Sequence, residues 1–136
     1  MRRALPSQVL LAIGLGELAA GAALVVVPRQ FLALLDVPLA AGPAAIWLRW
    51  IGVFVAAVGA LYFLPWWGPR RLAKARLRFS LEATSMIRLL VAGFIAVSIL
   101  GGALPTEWAL VGGYDAVVGG SQLALLVLGF FAEGEG

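Results

Sequence analysis

The sequence predicts an all-α, polytopic integral membrane protein, a single four-helix bundle domain spanning residues 1–136 with both termini in the cytoplasm. Three observations predict it. Of the 136 residues, 62% are hydrophobic and 12% charged, about half the roughly 25% charge of soluble domains, and the mean hydropathy is +1.01. A soluble domain this short could not hide so much apolar surface. The apolar residues gather into four runs, each long enough for a ~30 Å hydrocarbon core. Lysine and arginine are spread unevenly over the segments between those runs.

The first run covers residues 8–27 and is closed by Pro28-Arg29. Met1-Arg2-Arg3 before it and "AAGAA" within it imitate a signal peptide, but Glu17 in mid-run and the length of the run argue for a retained helix. The loop "FLALLDVP" is apolar and short, so a helical turn or two in the outer interface is expected there, ended by Pro38. The second run covers 44–64 and stops at Pro65; the third covers 80–104 and the fourth 108–131. In lipid every backbone group must be satisfied within its own segment, which makes these runs helices. They are too evenly apolar for the alternating pattern of a barrel.

Topology follows from the basic residues. Arg2, Arg3 and the five of "WGPRRLAKARLRFS" (Arg70, Arg71, Lys74, Arg76, Arg78) flank the inner ends, against Arg29 alone outside. By the positive-inside rule, that places both termini and the basic loop in the cytoplasm. Aromatics agree, with Trp47, Trp50 and Trp108 at the outer boundary and Tyr62, Trp66, Trp67 and Phe79 at the inner one. A pI near 10.2 therefore reflects orientation and attraction to anionic lipid rather than nucleic-acid binding.

Cysteine and histidine are both absent. Disulfides, thiol nucleophiles, Ser-His triads and histidine-held metal or haem are excluded. Any redox chemistry would need a diffusible quinone or a partner carrying the cofactor.

Charges inside the runs are the candidate site: Glu17, Arg49, Arg88 and Asp115. A charge at the bilayer centre costs at least ~2.5–3.5 kcal/mol, so opposite charges at one depth should meet. Counting ~1.5 Å per residue from the run ends pairs Glu17 with Arg88 and Asp115 with Arg49. Small residues beside them mark the inward faces: Gly14 and Gly21 around Glu17; Gly52, Ala56 and Gly59 or Ala60 below Arg49; Gly119 and Gln122 in line with Asp115. Thr84, Ser85 and Ser98 add hydrogen-bonding groups on the third helix. The glycines of "LVGGYDAVVGG" serve helix packing, since no phosphate loop lacks the lysine and the strand context.

"VVVPRQFLALLDVP", "LRWIGVFVAAVGALYFLP", "EATSMIRLL" and "YDAVVGG" give a layout that resembles the DoxX-like group of small four-helix bacterial membrane proteins. The resemblance implies a bacterial inner-membrane location. It also implies a non-catalytic accessory subunit of a larger complex, without a metal centre of its own, or a lipophile-binding module; membrane lipids and partner subunits or further copies of the chain are the expected partners. No catalytic residue carries over.

Three functions are weighed. In the first, a small intramembrane cavity binds a quinone or lipid, with Glu17, Arg49, Arg88, Asp115 and Gln122 as its polar anchor and no covalently held cofactor. In the second, a small proton-coupled exporter uses Glu17 as its carrier, though Arg88 at equal depth would oppose proton exchange. In the third, the charges only fix helix order and register. An enzyme acting on isoprenoid or lipid substrates would need aspartate-rich motifs that the sequence lacks.

Overall fold

A computed structural model describes residues 7–37 and 44–129, and helices are the only regular secondary structure among them. They are α1 (Ser7–Val26), α2 (Pro28–Leu34), α3 (Ala44–Leu61), α4 (Ala73–Leu100) and α5 (Ala109–Val127), with single 3₁₀ turns at Leu64–Trp66, Arg70–Leu72 and Thr106–Trp108. Arg2, Arg3, Pro38 and Phe131, which the sequence reading used as markers, lie outside the described residues. The chain divides into two compact units, one ending at Phe63 and the other beginning at Leu64.

In the N-terminal unit α1 and α3 lie antiparallel at backbone contact. A Cβ added to Gly21 would sit 2.5 Å from the Ala56 nitrogen and 2.6 Å from the Gly52 carbonyl. One added to Gly59 would meet the Glu17 Cβ and the Leu18 nitrogen, each at 2.8 Å. Glycine is what lets these helices approach so closely. The expected inward faces are therefore the faces in contact, Gly14-Glu17-Gly21 on α1 and Gly52-Ala56 with Gly59, rather than the exposed Ala60, on α3.

The helical turn expected after the first helix is α2, which has Pro28 in its first turn, where no amide hydrogen is missed. It ends in a Schellman motif: Val37 N–H donates to the Leu32 carbonyl and Asp36 N–H to that of Ala33. Asp36 takes the left-handed position at φ 55° that glycine usually fills. Leu32 and Val37, the residues whose contact accompanies the motif, are both buried.

Several boundaries differ from the sequence expectation, α4 ending at Leu100 rather than Leu104 and α5 at Val127, four residues before the expected end. α3 ends at Leu61 rather than Leu64, because Pro65 lacks an amide hydrogen and its ring would strike the carbonyl four residues back. The closing residues tighten instead, Tyr62 and Phe63 bonding three residues back to Gly59 and Ala60. α4 starts at Ala73, not Ser80. Hydropathy marks where the chain becomes apolar, whereas "AKARLR" is polar yet made of strong helix formers.

The C-terminal unit is an antiparallel hairpin of α4 and α5. Gly101 and Gly102 turn it, with Gly102 at φ +72° in a second Schellman motif closed from Ala103 to Ser98 and from Gly102 to Ile99. Its pattern of burial is inverted relative to a soluble protein. Ser80, Thr84, Ser85, Arg88 and Gln122 are buried, while Leu90, Phe94, Val97, Leu100 and Val117 are each more than 65% exposed. Such an arrangement suits a hydrocarbon surround. Gln8–Val26, Arg70–Leu100 and Thr106–Val127 are long and apolar enough to cross a membrane; the apolar part of α3, Ala45–Leu61, is shorter.

Candidate ligand site in the helical hairpin

Residues that straddle the Gly101-Gly102 turn meet across the hairpin. A Cβ at Gly112 would meet the Ile95 side chain at 2.9 Å, and one at Gly119 the Arg88 Cβ at 3.0 Å. That close approach lets Arg88 reach α5. Its guanidinium donates to the Asp115 carboxylate at 2.5 Å and lies 5.2 Å from the centre of the Tyr114 ring, a cation–π distance. Arg88 is 2% exposed and the Asp115 side chain 15%.

One turn further from the hairpin bend, Thr84 and Gln122 pair at 3.0 Å, and Thr84 also donates to the Ser80 carbonyl at 2.8 Å. A hydroxyl has one hydrogen, so it serves these acceptors in turn, or accepts from Gln122 when that amide is rotated. Ser85 closes the row, its hydroxyl donating to the Glu82 carbonyl. Among the described residues no buried nitrogen or oxygen of this row lacks a hydrogen-bond partner. A row satisfied in this way is a rigid strut, well suited to holding two helices in register.

Of the residues anticipated from sequence, Arg88, Asp115 and Gln122 thus come together. Their pairing is corrected: Asp115 is bound by Arg88, not by Arg49. Depth had been counted from the apolar ends, and because α4 begins seven residues before its apolar run, Arg88 lies past the helix midpoint, level with Asp115. Arg49 stands exposed on α3 beside Trp47 and Trp50, whose rings meet edge to face at 6.4 Å. Glu17 is half-buried on α1, its Cβ side against Gly59.

The chain matches no family model, no curated protein and no solved structure.

Sequence reasoning missed the feature beside the strut. An open groove of about 430 Å³ runs along the hairpin between Met86, Leu89 and Leu90 of α4 and Leu123 and Leu126 of α5, with Glu82 and Ser85 at one end. The carboxylate of Glu82 takes the Nε–H of Arg78 at 2.8 Å in an exposed pair one helical turn apart. Leucine is everywhere in such a chain, so nothing in the sequence singles out these four. The available signal was polar: Arg78 and Glu82 at i, i+4, just where the third run begins.

Proposed function

We propose that the chain is a non-catalytic, multi-pass membrane protein that holds a lipophile, a quinone or a lipid, in the α4–α5 groove. The observation that carries this reading is the groove itself, apolar along its length and polar at one end, on a hairpin locked by the buried Arg88–Asp115 pair. Sites for small amphiphiles combine an apolar cavity with a few convergent polar groups.

From Glu82 to Leu90 the groove extends ~12 Å along α4 at ~1.5 Å per residue. In a bilayer the leucine walls offer shape rather than a hydrophobic gain, because lipid tails are as apolar as leucine. Selectivity therefore arises at the polar end. Glu82 accepts a hydrogen bond from a ligand hydroxyl, and Arg78, always charged and rich in planar donors, serves a carbonyl. The buried Arg88, Asp115 and Gln122 act from beneath, by fixing the groove's two walls. Among the readings weighed from sequence, this merges lipophile binding with a structural role for the intramembrane charges.

The remaining architecture belongs to the same proposal. Four helices cross the membrane, α3 by local thinning around its ~27 Å length. Both termini and the basic segment before α4 lie in the cytoplasm. The resemblance to DoxX-like proteins supports a bacterial inner-membrane accessory subunit, working with partner subunits or further copies of itself.

Filling the groove tests the reading. Met86→Trp and Leu123→Trp should lower retention of decylubiquinone or of co-extracted lipid, read by native mass spectrometry, by about tenfold, the equivalent of 1.4 kcal/mol. Unfolding in mixed micelles should stay within the range of a surface change. Undiminished retention in both variants rejects the groove as the site.

A further inference from the structure

Against the turn that leads into α4 lies a cation, Arg76 of that helix, with no counter-charge among the described residues. Gly68 adopts φ +95°, and a Cβ there would lie 2.5 Å from Nη1 and 3.0 Å from Nη2 of Arg76, so the guanidinium lies against the glycine backbone. Nη1 is buried and has no hydrogen-bond partner among the described residues. Two acids of this unit are committed, Glu82 to Arg78 and Asp115 to Arg88. Glu107 stands in the turn before α5, at the opposite end of the hairpin. A charged nitrogen taken out of water with no acceptor is costly, and such groups call for an explanation. Around it Arg70, Arg71 and Lys74 are exposed, and Trp66 and Trp67 are 48% and 76% exposed. Cations flanked by exposed tryptophans are the composition of a bilayer interface.

We propose that this turn, Gly68 with Arg76, is a phosphate-binding site that takes the headgroup phosphate of an anionic lipid. The chemistry favours phosphate. Guanidinium matches it with paired donors, and the contact with Gly68 orients Arg76 before the anion arrives, which lowers the ordering cost of binding. Arg70, Arg71 and Lys74 supply the field that draws an anion in. The site rests on the membrane placement proposed above, but not on the groove.

The probe is spin-labelled phosphatidylglycerol in nanodiscs of phosphatidylcholine, with the full chain and single-charge variants of equal net charge. Diffuse attraction weakens the lipid preference about fivefold for each basic residue removed, whichever one it is. The site predicts a loss of about fiftyfold for Arg76→Gln, against about fivefold or less for Arg71→Gln and Lys74→Gln, with Arg76→Lys between. Equal losses in the three glutamine variants, or no preference in the parent chain, overturn the proposal. Displacement of the label by inorganic phosphate assigns recognition to the phosphate alone. A preference that inorganic phosphate does not disturb assigns it to the lipid headgroup as a whole; both support the site. Stronger lipid binding after Glu133→Gln with Glu135→Gln that disappears when Arg76→Gln is added would make the chain's own tail the partner, and overturn it. Decylubiquinone retention should not change in Arg76→Gln, which separates failure here from failure of the groove. A parallel loss of quinone would show that Arg76 acts on the fold, and also overturns the site.

Discussion

Removing either member of the Arg88–Asp115 pair strands the other, and the two losses should be unequal. Breaking a buried pair in a soluble protein costs about 3–5 kcal/mol. Two features lower that figure here. The Asp115 side chain is 15% exposed, and in a membrane the unfolded reference state also finds polar partners. Arg88→Met leaves a carboxylate that can shed its charge by taking up a proton, so about 2 kcal/mol is expected. Asp115→Leu leaves a guanidinium that is 2% exposed and cannot neutralise itself. Tyr114 offsets only part of that loss, a desolvated cation–π contact being worth ~2 kcal/mol. About 3 kcal/mol is expected for Asp115→Leu, roughly a 160-fold change in the folding equilibrium at 1.36 kcal/mol per decade. The double replacement by Met and Leu should recover most of it, because an apolar pair of similar volume needs no partner. Reversible unfolding in mixed micelles gives all four corners of the cycle. A stronger coupling of Asp115 to Arg49 than to Arg88, or additive single losses, would refute the pairing.

Three further outcomes follow from the packing and the charge pattern. Gly21→Ala should destabilise by about 1–3 kcal/mol, because the new Cβ would press on backbone atoms at 2.5 and 2.6 Å that cannot swing aside. Gly113→Ala, with nothing within 4 Å, should be neutral or stabilising by up to ~1 kcal/mol; the two are compared in the same unfolding assay, and equal effects would contradict the packing. Thr84→Val removes one partner of the buried Gln122 amide and should cost about 1–3 kcal/mol, with less lost when Gln122→Leu is added. For topology, a cysteine at Ala41 should label from outside and one at Ala73 only after permeabilisation; the reverse pattern would invert the orientation.

Much of this organisation could be read from residue types alone. Small residues at helical spacing gave the contact faces of α1 and α3, because glycine is the residue that close backbone approach demands. Arg88, Asp115 and Gln122 stood out because polar groups in an apolar run must point at one another. Which of them pair was hidden by the start of α4. "AKARLR" is helical by propensity but polar by composition, so depth counted from the apolar edge misplaced Arg88. The groove was hidden for another reason. Its walls are four leucines and Met86 in a chain rich in leucine, and only the packing of two helices sets them around an empty space. The inverted burial of α4, with Ser80, Thr84 and Ser85 inside and Leu90, Phe94 and Leu100 outside, needed the fold as well.

Photolabelling decides whether a lipophile occupies the α4–α5 groove. A diazirine-bearing quinone or acyl lipid is incorporated during extraction, irradiated, and its adducts mapped by peptide mass spectrometry. The groove predicts adducts concentrated on Met86, Leu89, Leu90, Leu123 and Leu126, lost in competition with unlabelled decylubiquinone. Adducts spread evenly over the exposed apolar residues of α1, α3, α4 and α5, and unmoved by competitor, would contradict it.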